Sequence, residues 1–582
     1  MRRARLLSLI AALCAAAACA SLPPPPGNPR STSFAQPAST SLGEVVRSSA
    51  PNSSVSGFRL LVSGEDALGS LLALARHAQH SLDIQYYIVR NDASSRTVLR
   101  EVHAAARRGV RVRMLVDDLN TASSDESLLC LTRHPAIELR LYNPLPAGRF
   151  STVTRVLASL TDIARINQRM HAKMFVADNA IGITGGRNLR DEYFLRSPTS
   201  NFVDLDVIAA GPAVRALSAS FDRFWNSELA YPIAQLVKTE PDCAGPVSAE
   251  PASPSPVPVA QWEAGQQGTE SQQAPGREGT DDVPDPSSAL ARELEAGRLE
   301  MSWLSASVVA DEPAKIEEGA DVRGQREARS RSADAADAAD AADTADALAS
   351  PMEASSAAPA VPANSGGANA AQAGPGHPVA ATVARLIGSA RRELIVITPY
   401  FVPGPHGMAL FRELRERGVT IRVLTNSLAS TDAPVVHIGY ARYREELLWL
   451  GVELHELRNQ PGPRRSHFAG FGSSLASLHA KALVIDRNTA LIGSMNTDPR
   501  SEWLNTELGL VLPSPEISGQ LVALYDDVVD SSYRLQLAEG GSRQWVGGSA
   551  GEPTVEGQEP GASLAMRALL LLLTPFAPEE ML

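Results

Sequence analysis

Apolar positions along this chain alternate between short strand-like runs and amphipathic stretches, and the alternation happens twice. Leu82 to Val89 reads as a buried strand, Ser95 to Arg108 places its apolar residues at helical spacing, and Val110 to Val116 returns to a strand. Another helix and pairs of strands follow. Strands and helices alternating at these lengths predict an α/β sandwich with a mixed sheet. The same series recurs downstream. ELIVITPYFV matches SLDIQYYIV, RERGVTIRVLTNSLAST matches AARRGVRVRMLVDDLNTAS, and LGVELHELRN matches HPAIELRLYNP, in the same order. The pattern predicts two pseudo-symmetric domains, over 57–240 and 377–545.

The remainder lacks that periodicity. Residues 1–22 read as a signal peptide: Arg2, Arg3 and Arg5 precede a short apolar run and small residues, and AAAC followed by Ala20 and Ser21 resembles a lipoprotein cleavage site with Cys19 as the lipidated residue. An ordinary signal peptide is the other reading. Residues 23–56 read as a tether with little to bury. Between the domains, 241–376 is an insertion with two low-complexity parts, one containing ADAADAADAADTADA. With no apolar stripe to bury it, this part is expected to be disordered. An island near 287–316 reads as helix then strand and is expected to pack on the folded body. In the tail, 546–582, the run ALLLLL is too short to cross a bilayer; it suits either a membrane interface or a helix docked on the body.

Composition narrows the options little further. A chain of 582 residues, 44% of them hydrophobic, can bury more than one core, which excludes a small disulfide-dependent fold. Its cysteines are Cys14, Cys19, Cys130 and Cys243, too few outside the leader to build a metal cluster. The net charge of −12 sits largely in the low-complexity stretches and identifies no partner.

Chemistry enters with a near-repeat. RMHAKMFVAD and SLHAKALVID pair His171 with His479, Lys173 with Lys481 and Asp178 with Asp486, and each is followed at the same distance by a small-residue turn ending in Asn188 or Asn496. Alternation places His and Lys on one face of a strand. Two histidines opposed across a pseudo-twofold axis suit in-line displacement at phosphorus, one attacking and the other protonating the leaving alkoxide. The lysines and asparagine amides would donate to the non-bridging oxygens, with no metal or other cofactor required. Each histidine needs an orienting carboxylate. Asp204 in VDLDV and Glu507 in NTELG stand at matching places, with Asp206 an adjacent alternative; Asp178 and Asp486, at the far end of the strand, are expected to brace it.

Paired HxKxxxxD motifs with G[GS]xN turns resemble the phospholipase D superfamily over nearly all of the chain outside the leader, tether and insertion. LDIQYYIV, TDIARINQRMHAK, FVDLDV, ITPYFVP, VVHIGYAR and NTDPRSEWLNTELG resemble its bacterial cardiolipin synthase C branch. The resemblance implies a phosphohistidine intermediate, with His171 as nucleophile and His479 as general acid. It further implies transfer of a phosphatidyl group onto phosphatidylglycerol, with phosphatidylglycerol or phosphatidylethanolamine as donor. It implies a membrane surface as partner, and with the leader, an envelope location facing the periplasm. A phospholipase D hydrolase is the alternative. A nuclease of the same superfamily is a weaker one, because the segments flanking the motifs mix acids and bases and no nucleic-acid partner is expected.

Asp117 and Asp118 end a strand whose repeat partner, LTNSLAS, has no acid there, which favours a structural or rim role over a metal site. His437, Tyr440 and Tyr443 lie near one helix face and are expected to pack, with lining of an acyl or headgroup path the lesser reading; Trp225 and Trp503 are expected in the core or at the rim rather than as recognition devices.

Overall fold

The computed structural model describes residues 22, 27–121, 124–145, 167–238, 243, 288–316, 377–460, 475–549 and 552–574. The leader, with Cys19, and the low-complexity parts of the insertion lie outside them. Two large mixed sheets dominate. The first takes β1 (Ser56–Leu61), β2 (Ser81–Tyr86), β3 (Arg111–Asp117), β4 (Ile137–Tyr142), β5 (Met174–Ala177) and β6 (Ile181–Gly185). After β7 (Ser200–Val203), which stands apart, it adds β8 (Asp206–Ala210), β9 (Ala230–Pro232) and β10 (Ser302–Leu304).

The second takes β11 (Ser307–Ala310), β12 (Glu393–Ile397), β13 (Thr420–Asn426) and β14 (Glu453–Leu457). Once β15 (Leu475–Leu478) has left to pair with β7, it continues through β16 (Ala482–Ile485), β17 (Thr489–Gly493), β18 (Leu508–Pro513), β19 (Ser532–Leu537), β20 (Arg543–Ser549) and β21 (Glu552–Glu556).

Both sheets share one strand order. β1-β8-β6-β5-β2-β3-β4-β9 in the first corresponds to β11-β18-β17-β16-β12-β13-β14-β19 in the second; β10 caps the first sheet, and β20 and β21 extend the second. In each, three neighbouring strands are parallel (β2-β3-β4 and β12-β13-β14) and the rest antiparallel, the mixed sheet the periodicity predicts.

By this correspondence each sheet also draws strands from outside the expected spans. The island's last strand, β11 from Ser307, is the counterpart of β1 and pairs with β18 as β1 pairs with β8. The low-complexity run lies between this strand and the helix Pro378–Ser389. The island's other strand, β10, joins the first sheet, so this segment holds an edge of both. Downstream, the second domain runs on through β21, beyond 545.

From residue 27 on, the expected tether is packed. Leu42 and Val46 of the Ser41–Ser49 helix are buried, Phe34 stacks on His80, and the backbone amides of Ser31 and Ser33 donate to Asn226 and Asp222. Arg113, itself buried, donates to Asp83, Asp222 and the Ser31 carbonyl, so a polar layer under the sheet recruits the N-terminal segment. Few apolar letters announce this because the attachment is mostly hydrogen bonding.

The two domains share a core. Met170, Val203, Phe221 and Trp225 from the first pack in one cluster with Ile395, Leu478, Leu508 and Val522 from the second. Burial of each such side chain contributes roughly 1.5–3 kcal/mol, enough to hold the halves in fixed register. Trp225 is a core residue, whereas Trp503 is half-buried against His377. Cys130 and Cys243 form a disulfide across a separation of 113 residues, a link that nothing in their spacing announces.

Candidate active site

The histidines sit where the domains exchange segments. β15 leads into His479 and runs parallel to β7, which leads into Asp204; Leu478 lies opposite Val203. By the same relation, Met170 bridges in parallel to Thr506, which leads into Glu507. His479 N donates to the Val203 carbonyl at 2.8 Å and His171 N to that of Thr506 at 3.0 Å. Each histidine is therefore pinned by its backbone one residue ahead of the other domain's carboxylate. Both histidines and both lysines lie just before β5 and β16, in the crossing segments rather than on the regular strands.

The side chains follow the same exchange. His479 Nδ1–H donates to Asp204 Oδ2 at 2.7 Å, and His171 Nδ1–H to Glu507 Oε2 at 3.0 Å, both partners fully buried. The neighbouring Asp206 instead pairs with Arg187 at 3.3 Å. Ionised carboxylates only accept, so Nδ1 carries the hydrogen in both rings and Nε2 is left as the reactive nitrogen. Lys173 Nζ donates to the His171 carbonyl at 2.6 Å, and Lys481 lies 3.0 and 3.3 Å from the ring nitrogens of His479. Asn188 accepts from Ile88 N and donates to the Tyr193 hydroxyl; the Asn496 side-chain oxygen is buried without a partner among the described residues.

Asp178 and Asp486 lie at the other end of the strand. Asp178 accepts from the amides of Gln79, His80 and Ser81, and Asp486 from those of Arg391, Arg392 and Glu393. Both have positive φ, closing the turn to the next strand. The structure brings together the histidines, lysines and the Asp204 and Glu507 carboxylates, and leaves these two aspartates as braces.

Burial sets the electrostatics. It holds His171 down at about 4 against the pull of Glu507, and it lowers His479, with Lys481 adding to the effect. Burial and the facing Lys481 bring Lys173 down to about 7; burial lowers Lys481 too. Burial alone would raise Asp204 and Glu507, but the cationic partners outweigh it. Asp204 falls to about 2, and Glu507 is lowered as well. Burial thus favours neutral histidines beside ionised carboxylates and eases proton loss from both lysines, most clearly Lys173.

A family model described as cardiolipin synthase, PLD-like domain, matches residues 71–225 and 383–528. Cardiolipin synthase C of Escherichia coli (strain K12) is 34% identical over 523 residues, covering 89% of this chain and 94% of that protein. The chain belongs to the phospholipase D superfamily. An uncharacterised protein of Helicobacter pylori (strain ATCC 700392 / 26695) is 28% identical over 476 residues, 82% of this chain and 80% of its own. Among solved structures, the phosphatidylserine synthase of Haemophilus influenzae Rd KW20 shares the fold, with a TM-score of 0.51 at 12% identity over 90% of this chain and 95% of that one.

Within this phospholipase D fold, several residues outside the repeated motifs support the site. Asp117 accepts from Met170 N and from Arg169, fixing the residue before His171; Asp118 accepts from Leu145 N. Asp311, on the island, accepts from Glu507 N and from Lys315, whose ammonium also donates to the Ser501 carbonyl. In the first domain Arg187 does the comparable task, donating to the carbonyls of Leu61, Val62 and Asp204. Their shared signal is a buried charge outside the repeated letters, Met495 standing where the first domain has Arg187. Tyr87 meets His171 edge-on at 5.0 Å, and Tyr193 meets His479 in the same way at the same distance.

Proposed function

We propose that the protein is a phosphatidyltransferase that makes cardiolipin through a phosphohistidine intermediate. The observation that carries this is the crossed pairing: two histidines, each held by the other domain's carboxylate, share one buried site with two lysines. In the first step His171 Nε2 attacks the phosphorus of a donor lipid. The N–P bond forms, the P–O bond to the headgroup alcohol breaks, and Nε2–H of protonated His479 gives its proton to the departing oxygen. An arriving phosphodiester anion favours that protonated form. In the second step a hydroxyl of phosphatidylglycerol returns a proton to neutral His479 while its oxygen takes the phosphorus and the N–P bond breaks. Lys173 and Lys481 face the charge that accumulates on the non-bridging oxygens.

Similarity to the cardiolipin synthase C of Escherichia coli supports cardiolipin as the product, and the neutral state of His171 supports its role as nucleophile. A membrane surface is the proposed partner. The helix Leu564–Leu573 rests on the body through Leu570, which packs on Leu428 and Ile438, while Leu564, Leu571 and Leu572 are 81%, 76% and 70% exposed. Leu428 follows Asn426, whose side chain brackets Leu478 beside His479, so the apolar helix lies on the side of the site. No helix among the described residues is long and apolar enough to cross a membrane. The leader and the disulfide support an oxidising, envelope location.

Incubating the detergent-purified protein with phosphatidylglycerol, with and without phosphatidylethanolamine, and analysing the lipids by mass spectrometry tests the reaction. Cardiolipin with released glycerol or ethanolamine is expected. Phosphatidic acid alone would make water the acceptor and the protein a hydrolase.

A further inference from the structure

The halves of the site are not equivalent around the reactive nitrogens. Tyr193 O lies 3.4 Å from His479 Nε2 and accepts from Asn188 Nδ2 at 2.9 Å. A hydroxyl has one hydrogen and two lone pairs. With one lone pair given to Asn188, the Tyr193 hydroxyl can donate to neutral His479 or accept from its protonated form. Either way Nε2 is engaged, with Lys481 Nζ also beside it at 3.3 Å. Phe202 packs against both rings, at 4.6 Å from Tyr193 and 5.1 Å from His479, and keeps the phenol in place.

Around His171 the arrangement differs. The residue five places after Asn188 is Tyr193, but five after Asn496 comes Ser501, whose hydroxyl is too short to reach across and accepts from Asn496 N. Tyr87 touches His171 with its ring edge, its hydroxyl being bonded to Asn120. Among the described residues, no hydrogen bond engages His171 Nε2. Burial raises the Tyr193 hydroxyl well above its usual range, so it keeps its hydrogen.

We propose that Tyr193 is a positioning residue that breaks the symmetry of the site. Its hydroxyl occupies the lone pair of His479 Nε2, withholding that nitrogen from attack on phosphorus and reserving it for proton transfer, so that the covalent bond forms on His171. The proposal rests on the phosphohistidine reading and adds what decides between two nearly identical histidines. Tyr193 forms no bond to substrate; the N–P bond and the proton transfer are those already described. Releasing one neutral hydrogen bond from Nε2 should raise its share of attack roughly fivefold.

The test is to quench the full-length protein in detergent during turnover of phosphatidylglycerol and map the phosphatidyl adduct by mass spectrometry at alkaline pH. The wild type, Tyr193→Phe, His171→Ala and His171→Ala/Tyr193→Phe are compared, with thermal melts to verify folding. The wild type should carry the adduct on His171. Tyr193→Phe should place a fraction on His479, and the double variant should show an adduct that His171→Ala lacks. A gain of reactivity of this kind does not arise from loosened structure. An unchanged adduct distribution in folded Tyr193→Phe, with no gain in the double variant, would overturn the role of Tyr193. An adduct on His479 in the wild type would overturn it as well. Turnover with no adduct on either histidine would instead remove the phosphohistidine reading, and this proposal with it.

Discussion

Gly186→Ala tests the crossed pairing without touching a chemical group. A Cβ added at Gly186 would lie 2.1 Å from Asp204 Oδ1 and 2.8 Å from its Cγ. Relief to an ordinary contact of about 3.4 Å requires the carboxylate to move by about 1.3 Å, and Asp204 is the group that holds His479 Nδ1 at 2.7 Å. A charge-assisted bond of this kind contributes roughly 1.5–3 kcal/mol, so its loss should lower turnover by roughly 10- to 150-fold. The second domain has Ser494 at the equivalent place, where the longer Glu507 makes room for a Cβ and takes a hydrogen bond from the serine hydroxyl. Ser494→Ala, which leaves the His171–Glu507 bond in place, should lose less than about tenfold. The assay is initial-rate product formation by the detergent-purified variants, with melting temperatures measured alongside. Gly186→Ala at wild-type turnover would refute the claim that Asp204 orients His479.

Three further outcomes are expected. The kcat/KM profile should rise with pH through about 4 as His171 loses its proton and fall as the general acid His479, lowered by burial, and then Lys173, at about 7, lose theirs; Lys173→Arg should move the upper part of the alkaline limb upward, and an unmoved limb would exclude Lys173 as a contributor. The melting temperature should fall as pH drops from about 6.5 towards 4, because unfolded His171 takes a proton that the folded site refuses, and the fall should be shallower in His171→Ala. Replacing Leu571 and Leu572 by Glu should weaken flotation with phosphatidylglycerol-containing vesicles while leaving the melting temperature within a degree or two of the wild type, since both side chains are exposed; unchanged flotation would remove the tail helix as a membrane contact.

The repeated sequence made the domains legible because strand and helix periodicity are local, and each copy confirms the other. What local pattern could not convey was which half serves which. Asp204 and Glu507 stand at matching places in the sequence, yet only the parallel pairing of β7 with β15 and the parallel Met170–Thr506 bridge show that each faces the other domain's histidine. The start of the second domain was hidden for another reason: a low-complexity run lies between β11 and the helix that continues its fold. Arg187 and Asp311, which brace the two carboxylates, differ between the halves and so leave no repeat to find. Likewise Tyr193 acts through an asymmetry, and a comparison that seeks matching letters passes over it.

The most direct test of a single site built from two halves is the turnover of His171→Ala and His479→Ala, each verified as folded by its melt. Loss of product formation by at least roughly a thousandfold in both is the expected result, since either residue alone makes half a mechanism. Substantial turnover in either variant would contradict it.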